Sequence, residues 1–183
     1  RDGDLVAKPA NGGSSVDVAV LPNADGLPAY AAKLDADEEI LIEAFAPGRE
    51  LTVAVLGEGE DARALAVTEI QPKTGGLYDY EDKYDPEKVA THVLPAELPP
   101  AIYQDALDQD ALDLAAQAHR ALGCRGLSRA DLRYDDQTGR TILMEVNTQP
   151  GMTALSLAPE QAALMGLSLS ALCARLVEDA RCG

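Results

Sequence analysis

The sequence predicts an α+β fold in which antiparallel or mixed sheets are flanked by helices, and three observations carry that prediction. Strand and helix signals are mixed along the chain without strict alternation, which disfavours a doubly wound parallel sheet. Two apolar runs, 126–134 and 140–147, flank the turn Asp135-Asp136-Gln137-Thr138-Gly139 and read as a pair of adjacent strands. Between residues 99 and 122, Ile102, Ala106, Leu107, Leu114, Ala118 and Leu122 recur at helical spacing, with Gly123 as the stop.

Taken in order, 5–7 and 16–20 are short strands around the loop 9–15. Residues 28–34 form a short helix with Pro28 at a tolerated start position. Strands over 39–45 and 50–56 are linked by a turn at Pro47-Gly48. Another strand covers 63–70, after an exposed acidic turn at 57–61. Residues 71–97 read as loop, and 168–179 as a last helix capped by Ser168, with Leu169, Leu172 and Leu176 inward.

Composition narrows the function classes. The chain has 183 residues and a net charge of −16, with 46% hydrophobic and 25% charged residues. That apolar content supports a folded core rather than a disordered chain. The acidic balance argues against unaided nucleic-acid binding and against a polybasic membrane anchor. Every apolar run is broken before the roughly 18–20 residues a bilayer span needs. Cys124, Cys173 and Cys182 form no CxxC pair, which points to a reduced, cytoplasmic protein.

Four segments concentrate candidate chemistry. In the last strand pair, residues two apart share a face, so Arg129 points with Asp131 and Glu145 with Asn147. Counting from the turn sets Asp131 opposite 144 or 145. Two carboxylates and an amide oxygen would make a hard-oxygen site for Mg²⁺, with Arg129 beside it to stabilise developing negative charge. A solvated sheet face with paired charges is the competing reading. The loop Lys8-Pro9-Ala10-Asn11-Gly12-Gly13-Ser14-Ser15 offers backbone N–H groups, two hydroxyls and a point charge to an anion, against a plain glycine turn. The run 78–84, with Tyr78, Lys83 and Tyr84, suits a lid over an anionic ligand or a surface loop whose tyrosines pack down. After the last strand, Pro150-Gly151 sets a tight turn whose N–H groups would suit an oxyanion hole. No nucleophile elbow or His-based triad spacing is present, and 57–62 fits the dinucleotide fingerprint only formally, since its acidic middle would repel a pyrophosphate.

In order along the chain, these segments resemble the ATP-grasp domain of the D-alanine–D-alanine ligases. The resemblance rests on 6–11 with 13–16, Ile42-Glu43, Gly48-Arg49-Glu50, the tyrosine run 78–84, 122–126, Arg129-Ala130-Asp131, and Glu145-Val146-Asn147-Thr148 with Pro150-Gly151-Met152-Thr153. It implies ATP and two Mg²⁺ (or Mn²⁺) ions as cofactors and D-alanine as substrate. Lys8 would contact the phosphates, under a loop carrying Ser14 and Ser15, with Ser14 near the substrates. Glu43, Ala44 and Ala46 would hold the adenine and Glu50 the ribose. Asp131, Glu145 and Asn147 would bind the ions, and Arg129 with the Gly151 N–H would form the oxyanion hole. Lys83 would touch the γ-phosphate, Ser156 and Leu157 the carboxylate of the second D-alanine, and Tyr78 and Tyr84 the substrates; Tyr84 fits a choice of D-alanine over D-lactate. The resemblance further implies a division at 1–47 (remainder of the central lobe) and 48–183 (C-terminal lobe with a lid over 71–86). It implies an N-terminal substrate domain outside this sequence, and leaves a homodimer open. Asp17 stands where the family usually has glycine.

Overall fold

The computed structural model describes residues 3–72, 90–96 and 104–181. They divide into two compact units, one built mainly from residues up to Pro47 and the other from Gly48–Gln71 and His92 onward.

In the first unit, β1 (Leu5–Pro9) is the middle strand of a three-stranded antiparallel sheet, between β2 (Ala19–Leu21) and β3 (Ile40–Ala44). The strand expected over 16–20 is confined to its end. Ser14, Ser15 and Asp17 have φ of 53°, 59° and 57°, incompatible with an extended chain. Turn hydrogen bonds from Val16 N–H to Gly13 C=O (3.1 Å) and Val18 N–H to Ser15 C=O (3.4 Å) take over. The alternating apolar pattern is overridden there by turn geometry, and Asp17, where the family favours glycine, adopts the left-handed region. Helix α1 (Leu27–Ala31) is shorter than the expected 28–34, because the chain leaves it through turn bonds such as Lys33 N–H to Tyr30 C=O (3.0 Å).

The second unit is built on the five-stranded sheet β6-β5-β4-β7-β8. Its strands are β4 (Arg49–Glu58), β5 (Arg63–Gln71), β6 (Thr91–Val93), β7 (Arg125–Asp135) and β8 (Arg140–Asn147). Strand β6 falls within the stretch read as loop; at three residues it is too short to announce itself by alternation. The Pro47-Gly48 turn does not make a hairpin: β3 and β4 belong to different sheets. Gly48 is required, since its φ is +104° and a Cβ there would lie 1.9 Å from the Tyr134 carbonyl oxygen.

Alternation along β4 and β7 then builds two cores. Leu51, Val53 and Val55 join Ala130, Leu132 and Tyr134 under α2 (Gln104–Ala121), which contributes Ala111 and Ala115. On the opposite face, Ala54, Leu56 and Leu127 pack with Ala158 and Ala162 of α3 (Leu157–Leu164) and Leu172 of α4 (Leu169–Glu178). Leu51 and Leu132 are 0% exposed, so truncating either to alanine would cost about 2–5 kcal/mol. In α2, His119 is also fully buried; its Nε2 faces the Gly57 carbonyl (3.2 Å), which only accepts, so Nε2 carries the hydrogen and Nδ1 accepts from Ser128 Oγ (2.7 Å). Leu122, counted with the apolar stripe, is 63% exposed because the helix ends at Ala121. Ser168 caps α4 as expected, accepting from Ala171 N–H at 3.3 Å. Leu172 is fully buried, while Leu169 and Leu176 are half-buried. Among the described residues, no single helix is long and apolar enough to cross a membrane.

Candidate active site

The face of the second sheet that carries α3 and α4 changes character along its strands. At the Leu56/Leu127 end it is apolar and covered. Further along, β4 presents Thr52 and Glu50, β7 presents Arg129, Asp131 and Arg133, and β8 presents Glu145 and Asn147. The register makes this a single stripe: Thr52 pairs with Asp131 and Glu50 with Arg133, while Arg129 pairs with Asn147 and Asp131 with Glu145. Of the two positions counted from the hairpin turn, 144 and 145, the register selects Glu145. A slip between Asp131 and Leu132 leaves Met144 as the extra residue, and the same slip keeps both acidic side chains on one face.

Electrostatics within the stripe are already organised. Arg129 forks onto Asp131, Nε to Oδ1 at 2.8 Å and a terminal N–H to Oδ2 at 2.6 Å. Thr52 Oγ1 donates to the same Oδ1 at 2.7 Å. Glu50 accepts from Arg133 at 3.3 Å, and Asn147 Oδ1 accepts the Gln149 N–H at 2.9 Å, fixing the turn after β8. Asp131, Glu145 and Asn147 together offer hard oxygens, the donor chemistry that Mg²⁺ prefers. Among the described residues no set of three His, Cys, Asp or Glu side chains converges, so a metal here would draw on these two carboxylates, the amide and non-protein oxygens.

The following loop closes on Ser156. Its Oγ accepts the Thr153 N–H at 3.1 Å and lies 2.8 Å from Thr153 Oγ1. A Cβ on Gly151 would sit 2.9 Å from that Oγ, so a larger residue here would turn the Ser156 hydroxyl away from Thr153. Leu157 is buried at 7% exposure and opens α3, leaving its backbone N–H, rather than its side chain, to face a ligand.

In the first unit, Lys8 Nζ is 2.7 Å from Glu43 Oε2. Lys8 and Val6 share a face of β1, and Val6 pairs with Glu43, so the contact is diagonal across the strands. Ala44 ends β3, and Ala46 follows it, 8% exposed. Ser14 and Ser15 sit in the left-handed loop. Tyr78, Lys83 and Tyr84 lie outside the described residues.

Two residues of this region escape sequence reasoning. Thr52 is a polar position inside the apolar run 51–56, and only the register reveals that it faces Asp131. Gln161 is 0% exposed on α3, a helix that sequence patterning does not disclose, because Leu157, Ala158, Pro159, Gln161 and Ala162 are all buried and leave no polar face to set a period.

Comparison with known proteins fits this geometry. Residues 4–178 match the family model described as D-ala D-ala ligase C-terminus. The chain is 50% identical over 182 residues to the D-alanine–D-alanine ligase of Paramagnetospirillum magneticum, a match covering 97% of this chain and 56% of that protein. Among solved structures it resembles the D-alanine–D-alanine ligase of Bacillus anthracis complexed with ATP (TM-score 0.74, 26% identity, 97% of this chain and 52% of that one). It also resembles the VanG D-Ala:D-Ser ligase of Enterococcus faecalis (TM-score 0.77, 29% identity, 96% and 49%). The chain thus spans about half the length of the curated relatives it matches. The antiparallel sheets and flanking helices are those of the ATP-grasp fold, and a match running almost from end to end places the chain in the D-ala D-ala ligase C-terminus family.

Proposed function

We propose that this chain is the nucleotide- and metal-binding part of a cytoplasmic ATP-dependent ligase that joins two D-alanines into D-alanyl-D-alanine for peptidoglycan synthesis. The observation that carries the proposal is the polar stripe Arg129, Asp131, Glu145 and Asn147, held in register on one sheet face beside the Gly151–Ser156 loop. Asp131, Glu145 and Asn147 would hold Mg²⁺, two ions in the reading above; bound there, the metal supplies charge neutralisation to the phosphates. Lys8 and the loop at Ser14 and Ser15 take the phosphates. Glu43, Ala44, Ala46 and Glu50 take the nucleoside.

The reaction then needs two steps from the protein's side. The first D-alanine carboxylate receives the γ-phosphoryl group, with Lys83 against its charge. The amine of the second D-alanine attacks the acyl phosphate, and Arg129 with the Gly151 N–H stabilises the oxyanion. For that, Arg129 must release Asp131, and a metal held by Asp131, Glu145 and Asn147 would supply the balancing charge. Ser156 and the Leu157 N–H bind the incoming carboxylate, while the lid with Tyr78 and Tyr84 excludes water and Tyr84 favours D-alanine over D-lactate as acceptor.

The test is ADP and phosphate release with ATP, Mg²⁺ and D-alanine, with the dipeptide identified by mass spectrometry. ATP turnover that ignores D-alanine, or a different product such as D-alanyl-D-serine, refutes the assignment. A second reading, in which this chain alone binds Mg·ATP without turnover as a fragment or split-ligase subunit, is favoured by its coverage of 56% of a full relative. Calorimetric ATP binding without product from this chain, with activity restored by an N-terminal substrate domain, would establish it.

A further inference from the structure

Two polar side chains under the site are fully buried and unused by this chemistry: Thr52 and Gln161, each 0% exposed. Thr52 Oγ1 lies 2.7 Å from Asp131 Oδ1 and 3.2 Å from the Ala130 carbonyl oxygen. A hydroxyl has one hydrogen to give, and the shorter contact, to the charged acceptor, takes it. The backbone around Thr52 is held from α3. Gln161 Nε2 donates to the Thr52 carbonyl at 3.0 Å and to Thr68 Oγ1 at 2.9 Å, and Oε1 accepts the Ala54 N–H at 2.7 Å. The C=O of one strand residue and the N–H two further on leave the same flank, and here they leave it where the β4–β5 register slips between Val53 and Val55. The Gln161 carboxamide thus fills the place of a peptide group at the bulge.

Asp131 Oδ1 receives Thr52 and Arg129 Nε, while Oδ2 receives the Arg129 terminal N–H. When Arg129 turns to a reacting oxyanion it withdraws from both oxygens together. Thr52 then remains as the donor on Oδ1, which prevents the carboxylate from rotating and leaves Oδ2 open toward a cation. We infer that Thr52 is a positioning residue for Asp131, and that Gln161 fixes it by pinning β4, where it faces the bulge in β5, to the helix that begins with Ser156 and Leu157, so that one buried brace links the metal carboxylate to the second-substrate loop. This inference rests on the reading of Asp131 as a metal ligand.

The test is Mn²⁺ binding, followed by electron paramagnetic resonance with a non-hydrolysable ATP analogue, in the enzyme and its Thr52→Val, Thr52→Ser and Asp131→Asn variants. Thr52→Val keeps the shape and removes the donor. Its Mn²⁺ affinity is expected to fall about 10-fold or more, the usual effect of losing an outer partner of a metal ligand. Thr52→Ser restores wild-type affinity. In turnover, Thr52→Val raises the Mg²⁺ concentration needed for half-maximal rate, while kcat at saturating Mg²⁺ recovers. If the valine variant does not fold, Thr52→Ala takes its place in the comparison with serine. Wild-type affinity in a variant lacking the hydroxyl overturns the inference, as does equal weakening by serine and valine, which would mark packing as the cause. Asp131→Asn binding Mn²⁺ as tightly as wild type overturns the ligand reading itself, and the brace with it.

Discussion

Replacing Gln161 by leucine tests the core beneath the site. The two side chains have similar size, so little cavity is made, and the change isolates three hydrogen bonds: from Ala54 N–H, to the Thr52 carbonyl and to Thr68 Oγ1. The Thr68 hydroxyl is able to rotate to another partner. The Ala54 N–H and the Thr52 carbonyl belong to residues that are 0% exposed, so water does not replace the amide. Leaving a buried polar group unsatisfied costs about 1–3 kcal/mol, so the two backbone groups together lose roughly 2–6 kcal/mol. For a chain of this size that corresponds to a fall in Tm of roughly 4–24 °C. The decisive assay is native-state hydrogen exchange: the Ala54 amide should lose protection by more than its neighbours in β4. A destabilisation below about 0.5 kcal/mol, the level of an ordinary surface change, with Ala54 protection unchanged, would refute the reasoning.

Other consequences follow from single contacts. Gly48→Ala drives a methyl into the Tyr134 carbonyl from a φ of +104° and should cost at least about 3 kcal/mol in urea unfolding; a near-neutral variant would show that the turn is misdescribed. Arg129→Lys keeps the charge but loses the fork, so kcat for dipeptide formation should fall about 10²–10³-fold with the ATP KM little changed. Burial lowers the pKa of His119, partly opposed by the carbonyls of Gly57 and Cys124. The unfolded chain therefore takes up the proton first: stability is full above about pH 6.5 and falls below it, by at most about 1.4 kcal/mol per pH unit, until the depressed folded value is reached. His119→Gln should flatten the melting temperature between pH 6.5 and 5.5, and an unchanged slope would assign the loss to other groups.

What could be read in advance follows the range of the forces involved. The β7–β8 hairpin was legible because its turn lies between its two strands, so the pairing follows from local counting to within one residue, and the slip beside Asp131 selects Glu145 over 144. The long helix was legible because one side of it meets solvent and creates a period. Helix α3 turns apolar residues, Ala163 and Leu164, to solvent and so shows no period, and the β4 backbone facing the bulge in β5 is held by a partner more than a hundred residues away, Gln161. Val16 and Val18 mislead for the opposite reason: their alternation is real, but the left-handed residues Ser14, Ser15 and Asp17 decide the local path. Patterning thus brought out the polar residues of the hairpin stripe and missed the groups packed beneath them, because such supports are chosen by tertiary contact alone.

The same division bears on how so acidic a chain would serve the polyanion proposed as its ligand. The candidate cations of each unit stand in ion pairs: Lys8 with Glu43 in the first, and Arg129 with Asp131 and Arg133 with Glu50 in the second. Each carboxylate keeps its partner in place without ligand, and a phosphate or oxyanion has to displace it rather than find a bare charge. Attraction at long range is correspondingly weak, so ATP affinity should depend little on ionic strength and strongly on the divalent ion, which neutralises the phosphates and frees Arg129 by taking Asp131. The loop at Asp17 carries the remaining conflict. A side chain at a φ of 57° is strained, and its carboxylate stands in the loop proposed to cover the phosphates. Asp17→Gly removes both burdens, but glycine's greater freedom in the unfolded chain returns about 0.5–1 kcal/mol, so overall stability should change little. The removed charge is what should register, as a lower KM for ATP in steady-state assays, by roughly threefold for an exposed carboxylate in water-like dielectric. The backbone carbonyl that accepts the Tyr30 hydroxyl at 2.7 Å is kept in the glycine variant, so a KM that rises instead would mean that the restricted backbone of Asp17 holds the loop in its working shape, and that this restriction rather than charge is what the position contributes.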